Sequence, residues 1–159
     1  MIAYKTVGLV FLSALAPAAA AQAGASSGSS ALALSAIVGE LSPQTSAADK
    51  KLLAAYFAGH AEAPHAKGQR VAVKADAIDC RAGNVDITSR ACELTFGAKK
   101  IELSGRKANE LYATLIENGV VAEGAAGSSH TSITALDCIV DADEVAEKAG
   151  GGARCAFTP

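Results

Sequence analysis

The sequence predicts an α+β protein, with an N-terminal helical hairpin followed by a disulfide-stapled antiparallel sheet of four or five strands that packs with one helix. Apolar residues recur with a helical period over residues 31–59 and again over residues 106–118. In the rest of the chain after residue 70 the apolar period changes to two, which is typical of half-buried strands. The four cysteines all lie in this strand-forming part, where they can cross-link it.

Residues 1–23 have the pattern of a bacterial secretory signal peptide. Lys5 supplies the positive charge, Val7–Ala16 is an apolar run too short to span a membrane, and Ala21-Gln22-Ala23 is a small-residue cleavage site. Cleavage would leave a chain that starts at Gly24 and carries no membrane anchor. We therefore expect a periplasmic or secreted protein in an oxidising compartment, where its cysteines are paired.

Two helices are expected after a flexible linker over residues 24–30, because that segment is almost entirely glycine and serine. The apolar stripe of the first helix comprises Leu34, Ile37, Val38 and Leu41. The second helix begins at Pro43 or after Ser46, which has capping-box spacing to Asp49. Its apolar stripe comprises Leu52, Leu53, Tyr56 and Phe57, and Gly59 ends it. Both stripes are predicted to face the core.

The strand pattern contains two breaks in parity within residues 70–159, which we interpret as a disulfide-stabilised α+β domain. Val71 and Val73 share one strand face, whereas Ile78 and Cys80 have the opposite parity, so a bulge or break is expected near residues 75–77. The segment 131–141 slips in the same way. The helix over 106–118 has one wide apolar stripe and should cover one face of the sheet, and Gly119 is expected to end it.

Segments 77–96 and 135–157 resemble each other and bear on the cysteine pairing. Ala77–Cys80 reads AIDC and Ala135–Cys138 reads ALDC, and a second cysteine follows each. Either one strand–loop–strand unit is used twice, or the match is a coincidence in a chain with 37 alanines. A repeat favours the sequential pairs Cys80–Cys92 and Cys138–Cys155. The alternative pairing, Cys80–Cys138 with Cys92–Cys155, would join the two units.

Composition and motifs exclude several classes of function. The 14 basic and 16 acidic residues are scattered, which leaves no electrostatic footprint for nucleic acid. The chain has no phosphate-binding glycine motif and no C-x-x-C motif, so no cofactor is expected. Alanine accounts for much of the apolar half of the composition, which predicts a thin core that depends on cross-links.

Two small groups of residues could carry chemistry. Ser104 and Lys107 have S-x-x-K spacing, which would bring a hydroxyl near an amine one helical turn away. The companion motifs of such hydrolases are absent, and a helix N-cap is where serine is ordinarily found. His60, His65 and His130 are weak candidates for a metal site. Three convergent ligands would be needed for zinc, whereas loop histidines are more often solvated.

We expect a small exported binding or interaction protein. One version of this hypothesis is an inhibitor of an extracytoplasmic enzyme. Its partner would be an unidentified extracytoplasmic protein. In outline the arrangement is similar to that of small secreted protease or lysozyme inhibitors, and the loop between Cys138 and Cys155 is the expected contact surface. The alternatives are a cell-envelope hydrolase that uses Ser104 and Lys107, and a periplasmic metal-binding protein that uses the three histidines.

Overall fold

Two antiparallel sheets of four strands each, with four helices, make up the described part of the chain, so the predicted α+β class is confirmed. The structure is a computed structural model and describes residues 23–82, 89–121, 130–148 and 151–159. The strands are β1 (Gly24–Ser27), β2 (Arg70–Ala75), β3 (Ala77–Ala82), β4 (Arg90–Phe96), β5 (Lys99–Ser104), β6 (His130–Ile133), β7 (Ala135–Asp141) and β8 (Ala153–Thr158). The helices are α1 (Ser29–Leu41), α2 (Ala47–Phe57), α3 (Gly105–Glu117) and α4 (Ala142–Glu147).

The strands form two sheets rather than the one sheet that the sequence predicts. Sheet A has the order β1-β8-β7-β2, and sheet B has the order β5-β4-β3-β6. Only Asp76 separates β2 from β3, and only Thr134 separates β6 from β7. Residues 70–82 and 130–141 therefore form one antiparallel ribbon that passes from sheet A into sheet B.

The two parity breaks in the sequence mark the points where this ribbon changes sheet. The buried side chains of β2 include Val71 and Val73, whereas those of β3 are Ile78 and Cys80. One inserted residue moves every following side chain to the opposite face of a strand. Asp76 is that residue, and its N–H donates to the carbonyl oxygen of Thr95 at 2.9 Å. The predicted break is thus a change of sheet and not a bulge within one sheet.

The residues predicted to limit the second and third helices do so. The Ser46 hydroxyl accepts a hydrogen bond from the Asp49 N–H at 3.1 Å, which makes Ser46 the N-cap of α2. Gly59 follows α2 with φ of 87°, and Gly119 follows α3 with φ of 71°. After α3, the N–H of Val120 donates to the Leu115 carbonyl at 3.0 Å, as in a Schellman motif.

The linker prediction for residues 24–30 is wrong. Residues 24–27 form strand β1, which pairs antiparallel with β8, and residues 29 and 30 form the first turn of α1. Strand pairing satisfies the backbone hydrogen bonds of this segment, and the low complexity of its sequence gave no sign of that partner. The predicted signal peptide lies outside the described residues except for Ala23.

The helical hairpin and the two sheets share one core. α1 packs against α2, α3 and strands of sheet A, and α3 packs against β4 and β5. The largest fully buried side chains come from both parts and include Leu34, Leu53, Ile78, Leu94, Leu111, Leu115, Ile133 and Leu136. Among the described helices, none is long and apolar enough to cross a membrane.

The two sheets have the same construction, so the similarity of segments 77–96 and 135–157 reflects a structural repeat. In sheet B the hairpin β3–β4 is flanked by β5, and in sheet A the hairpin β7–β8 is flanked by β1. Asp76 and Thr134, the two residues at which the chain passes from one sheet to the other, are equivalent as well. The N–H of Thr134 donates to the Thr158 carbonyl at 2.8 Å, just as Asp76 donates to Thr95.

The repeat extends to the helices that follow the flanking strands. β5 leads into α3 through Ser104-Gly105, and β1 leads into α1 through Ser27-Gly28, with both glycines at positive φ. The carbonyl oxygens of Ala108 and Ala31 each lie 3.6 Å from a disulfide sulfur of their own half, Cys92 Sγ and Cys155 Sγ. Residues at equal distance from Gly28 and Gly105 therefore correspond.

Candidate functional site

The four cysteines form two buried cross-strand disulfides. Cys80 and Cys92 face each other across β3 and β4 with their Cα atoms 4.1 Å apart, and Cys138 and Cys155 do so across β7 and β8 at 4.0 Å. These are the sequential pairs that the repeat favours. All four residues are buried, so the disulfides are structural, and they fit an oxidising environment outside the cytoplasm.

The three histidines lie against three different carboxylates. His60 Nδ1 is 3.3 Å from Glu62, and His130 Nε2 is 2.6 Å from Asp79 on β3. His65 Nε2 is 3.1 Å from Asp143 on α4. In the residues that the structure describes, no group of three histidine, cysteine or acidic side chains could hold a metal ion.

His65 is part of a latch that holds the loop after α2 against α4, and it is only 18% exposed. Its Nδ1 lies 3.0 Å from the Tyr56 hydroxyl, while the other carboxylate oxygen of Asp143 accepts from the Gly68 N–H at 2.9 Å. Burial, together with the negative charge of Asp143, raises the pKa of Tyr56 above its usual value. Each of these polar groups has a hydrogen-bonding partner within the latch, so the latch is a structural closure of the loop.

Ser104 and Lys107 do not share a depression. Ser104 occupies the N-cap position of α3 without a capping hydrogen bond from its side chain, and it lines a charged depression on the outer face of sheet B. Lys107 lines a separate groove on the helical side of the molecule. The arrangement therefore adds no support for a hydroxyl activated by this lysine.

The depression beside Ser104 contains a row of carboxylates, two of which are ion-paired. Asp79, Glu93 and Glu102 lie directly opposite one another on three adjacent strands. Arg81 and His130 bind Asp79, and Lys100 binds Glu93 at 2.8 Å. Burial acts to raise the pKa of Asp79, but the hydrogen bonds from His130 and Arg81 outweigh it and lower the pKa. Ion pairing thus accounts for Asp79 and Glu93 without a ligand, and the charge of Glu102 acts on the nearby Lys100.

The strongest candidate site is an apolar groove of about 180 Å³ between the three long helices, which we call the helical groove. Its lining comes from the second half of α1, from α2, from the start of α3 and from β5. The lining residues are Ala36, Ile37, Glu40, Leu41, Lys50, Ala54, Phe57, Leu103, Lys107 and Glu110. Four of them are charged and form a rim around an apolar floor.

Phe57, at the edge of the helical groove, is unusually exposed for a large apolar residue. Its side chain is 51% exposed, and the only other large apolar side chain that is exposed in the described residues is Ile139, at 49%. Ile37 and Leu41 in the same groove are only partly buried. An exposed phenylalanine beside an open apolar groove retains apolar surface that burial would stabilise, which is typical of contact sites.

The rim charges have little compensation within the molecule. The ammonium of Lys50 donates to the backbone carbonyl of Glu40 at 2.8 Å, at the end of α1. Within the described residues, the side chains of Glu40, Lys107 and Glu110 form no ion pair. The groove therefore presents two positive and two negative groups around its apolar floor.

The structural repeat contains a second copy of this junction, and that copy is closed. Leu41, Leu103 and Lys107 correspond to Asn118, Ser26 and Ser30 by their distance from the two glycines. Asn118 is buried and donates to the Ser30 carbonyl at 2.9 Å, while its own amide oxygen accepts from the Ser26 hydroxyl. One junction is thus sealed by hydrogen bonds, and its counterpart is open and apolar.

Sequence reasoning missed the helical groove because it assigned Ile37, Leu41 and Phe57 to core-facing stripes. The available signal was the width of the apolar surface of α1. Ala31, Leu32, Leu34 and Val38 already supply a buried face, so Ile37 and Leu41 exceed what one packing partner can cover.

Comparisons with protein-family models, with curated proteins and with solved structures find no match for the chain.

Proposed function

We propose that this protein is a small exported interaction protein that binds a protein partner through the helical groove. The observation that carries the proposal is the open, apolar junction with its half-exposed Phe57, set against the hydrogen-bonded closure of the equivalent junction. The signal-peptide pattern of residues 1–23 and the two buried disulfides support export to the periplasm or the medium.

The size of the helical groove favours a protein partner over a small molecule. Pockets for drug-sized ligands and cofactors occupy roughly 300–1,000 Å³, whereas this groove offers about 180 Å³. That volume suits one large apolar side chain, which is how a buried anchor residue fills a pocket at a protein interface. An extracytoplasmic enzyme that the protein inhibits is one form that such a partner takes.

Affinity capture from an extracytoplasmic extract tests this proposal. The oxidised, tagged protein is compared with Phe57→Asp, which places a charge at the edge of the groove, and with Ile139→Asp as the matched control. Both substitutions replace a half-exposed apolar side chain, so both variants should fold. We expect the wild type and Ile139→Asp to capture the same protein in similar amounts. Phe57→Asp should capture at most about a tenth of that amount.

Equal capture by Phe57→Asp and Ile139→Asp would show that the contact lies elsewhere on the surface. The tip of the β7–β8 hairpin is then the next surface to test. In the structure this segment contains α4, whose Ala142 and Val145 are buried while Glu147 and the C-cap residue Lys148 are exposed. Capture that is lost on Glu147→Lys but not on Phe57→Asp would favour that hairpin.

A further inference from the structure

The helical groove and a side chain able to fill such a groove lie on the same surface. Phe57 projects from the last turn of α2, half exposed, at the edge of the groove that it helps to line. A second molecule placed face to face would present its own Phe57 to this groove. A twofold interface requires such a self-complementary patch, because the same surface is used by both copies. If one residue contacts a second residue across the interface, the second residue of the first copy contacts the first residue of the other.

The rim charges are self-complementary as well. Glu40 and Lys50 lie on the α1–α2 side of the groove, and Lys107 and Glu110 lie on the α3 side. Each side carries one positive and one negative group, so the four charges sum to zero. When the α3 side of one copy faces the α1–α2 side of another, opposite charges can meet along the whole rim.

We propose that the occupant of the helical groove is a second copy of this chain, which forms a twofold dimer. Phe57 of each copy enters the groove of the other. Lys107 pairs with Glu40 of the second copy, and Glu110 pairs with Lys50 of the second copy. This inference rests on the proposed function, since it names the partner for the same contact surface.

A foreign protein is less favoured by these observations. It would have to supply an apolar anchor and also two positive and two negative groups that match the rim, and nothing in the described residues specifies such a protein. The chain itself supplies all of these groups in the required balance. Burying Phe57 with Ile37 and Leu41 would also remove the apolar surface that the monomer leaves exposed.

Sedimentation velocity of the oxidised protein from about 5 to 500 µM tests the dimer over the range of micromolar dissociation constants. We expect the wild type to shift from monomer to dimer over this range and Ile139→Asp to follow it. Phe57→Asp should remain a monomer throughout. Unchanged circular dichroism and melting temperature would show that each variant is folded.

Charge reversal tests the arrangement of the rim. Glu40→Lys and Lys107→Glu should each weaken dimerisation about tenfold, because twofold symmetry turns two attractive contacts into two repulsive ones. The double variant Glu40→Lys/Lys107→Glu restores opposite charges and should recover most of the wild-type association. If the double variant is weaker than both single variants, the two residues do not pair across the interface.

The outcomes separate this inference from the proposed function. A wild type that stays monomeric at 500 µM while Phe57→Asp abolishes capture of another protein would overturn the dimer and leave the groove as a heterologous contact site. A dimer that Phe57→Asp does not disturb would also overturn the inference, because the interface would then lie elsewhere. A monomeric wild type whose capture is insensitive to Phe57→Asp would remove both proposals.

Discussion

Gly39 shows how closely the elements approach one another at the level of single residues. It lies on α1 where that helix meets α2 and β2, and a Cβ atom added there would be 2.8 Å from Leu53 Cδ1 and 3.2 Å from Val73 Cγ2. Leu53 and Val73 are both fully buried, so either side chain can give way only by shifting within the core. The absence of a side chain at this position is what allows α1 to approach α2 and sheet A.

We predict that Gly39→Ala destabilises the protein, although alanine is the better helix former. Overpacking a filled core costs about 1–3 kcal/mol, and the gain in helix propensity returns about 1 kcal/mol of that. A net loss of about 1 kcal/mol in the free energy of unfolding is expected from urea denaturation of the oxidised protein. A gain in stability would mean that Leu53 and Val73 reposition without strain.

Phe57 illustrates a residue whose role depends on its surroundings. Its spacing from Leu53 places it at the margin of the apolar stripe of α2, and the stripe alone predicts that it is buried. The structure instead leaves it at the groove edge, half exposed, while Leu53 and Tyr56 enter the core. The helical period identifies the side of the helix, but what packs against its margin depends on α1, α3 and β5.

At the scale of elements, the short helix α4 is held at its start by one carboxylate. Asp141 Oδ1 accepts from the Glu144 N–H at 3.3 Å, and Arg70 Nε donates to Oδ2 at 3.0 Å. The backbone hydrogen bond from Glu144, followed by the hydrogen bond from Arg70, lowers the pKa of Asp141 below its usual value. Folding therefore favours the ionised carboxylate, which ties α4 to the edge strand β2.

This lowered pKa predicts a loss of stability in acid. The contribution of Asp141 is fully present above its unfolded-state pKa of about 3.9 and disappears as the pH falls through the lower folded-state pKa. Asp141→Asn keeps a cap acceptor but removes the charge, so its melting temperature should fall less between about pH 5 and pH 2. Thermal melts across this range check the prediction.

The matched control for acid stability is Asp137→Asn on the same strand. Its carboxylate pairs with Lys74 across the strands and caps no helix. If Asp137→Asn reduces the fall in melting temperature between about pH 5 and pH 2 as much as Asp141→Asn does, the effect comes from the general loss of surface charge. If the melting temperature of Asp141→Asn falls more steeply in acid than that of the wild type, the ionised Asp141 carboxylate does not stabilise the start of α4.

The strand breaks show which element-level features can be read from sequence. The reversal of parity at residues 75–77 is visible in the pattern of Val73 and Ile78. A bulge and a change of sheet produce the same one-residue shift, so the pattern cannot distinguish them. Only the pairing of β2 with β7 and of β3 with both β4 and β6 shows that the chain crosses between two sheets.

At the scale of the whole molecule, the two disulfides cross-link equivalent hairpins in the two sheets. Cys80–Cys92 spans 12 residues of sequence, and Cys138–Cys155 spans 17. In the chain-entropy model a closed loop of about 15 residues contributes about 3 kcal/mol, and this contribution changes slowly with loop length. The repeat thus places a cross-link of similar size in each half of the core.

We predict that the two cross-links contribute nearly equally to stability. The double variants Cys80→Ala/Cys92→Ala and Cys138→Ala/Cys155→Ala should each lose about 3 kcal/mol of unfolding free energy in urea titrations. Each variant serves as the control for the other, since both remove one buried disulfide from a corresponding hairpin. A loss confined to one of them would show that the two halves differ in how far they depend on their cross-link.

The residue pattern was sufficient for the features that depend on neighbours along the chain. The helical stripes, the caps at Ser46, Gly59 and Gly119, the strand parity and the repeated cysteine segments are local, and each has a physical signature within one or two turns or strands. These features led to the α+β class. They also favoured the disulfide pairs that the structure contains, because a cross-strand pair in a hairpin links cysteines close in sequence.

Tertiary structure decided the features that depend on distant segments. Residues 24–27 form a strand because β8, more than 120 residues away, offers its edge. The helical groove is open because the surfaces of α1, α2, α3 and β5 leave a space there, whereas hydrogen bonds from Asn118 close its counterpart. Side chains that are equally apolar can either face the core of the protein or lie on its surface, where a partner can cover them. The difference lies in which surfaces the fold brings against them, since burial is a property of the packed assembly and not of the individual residue.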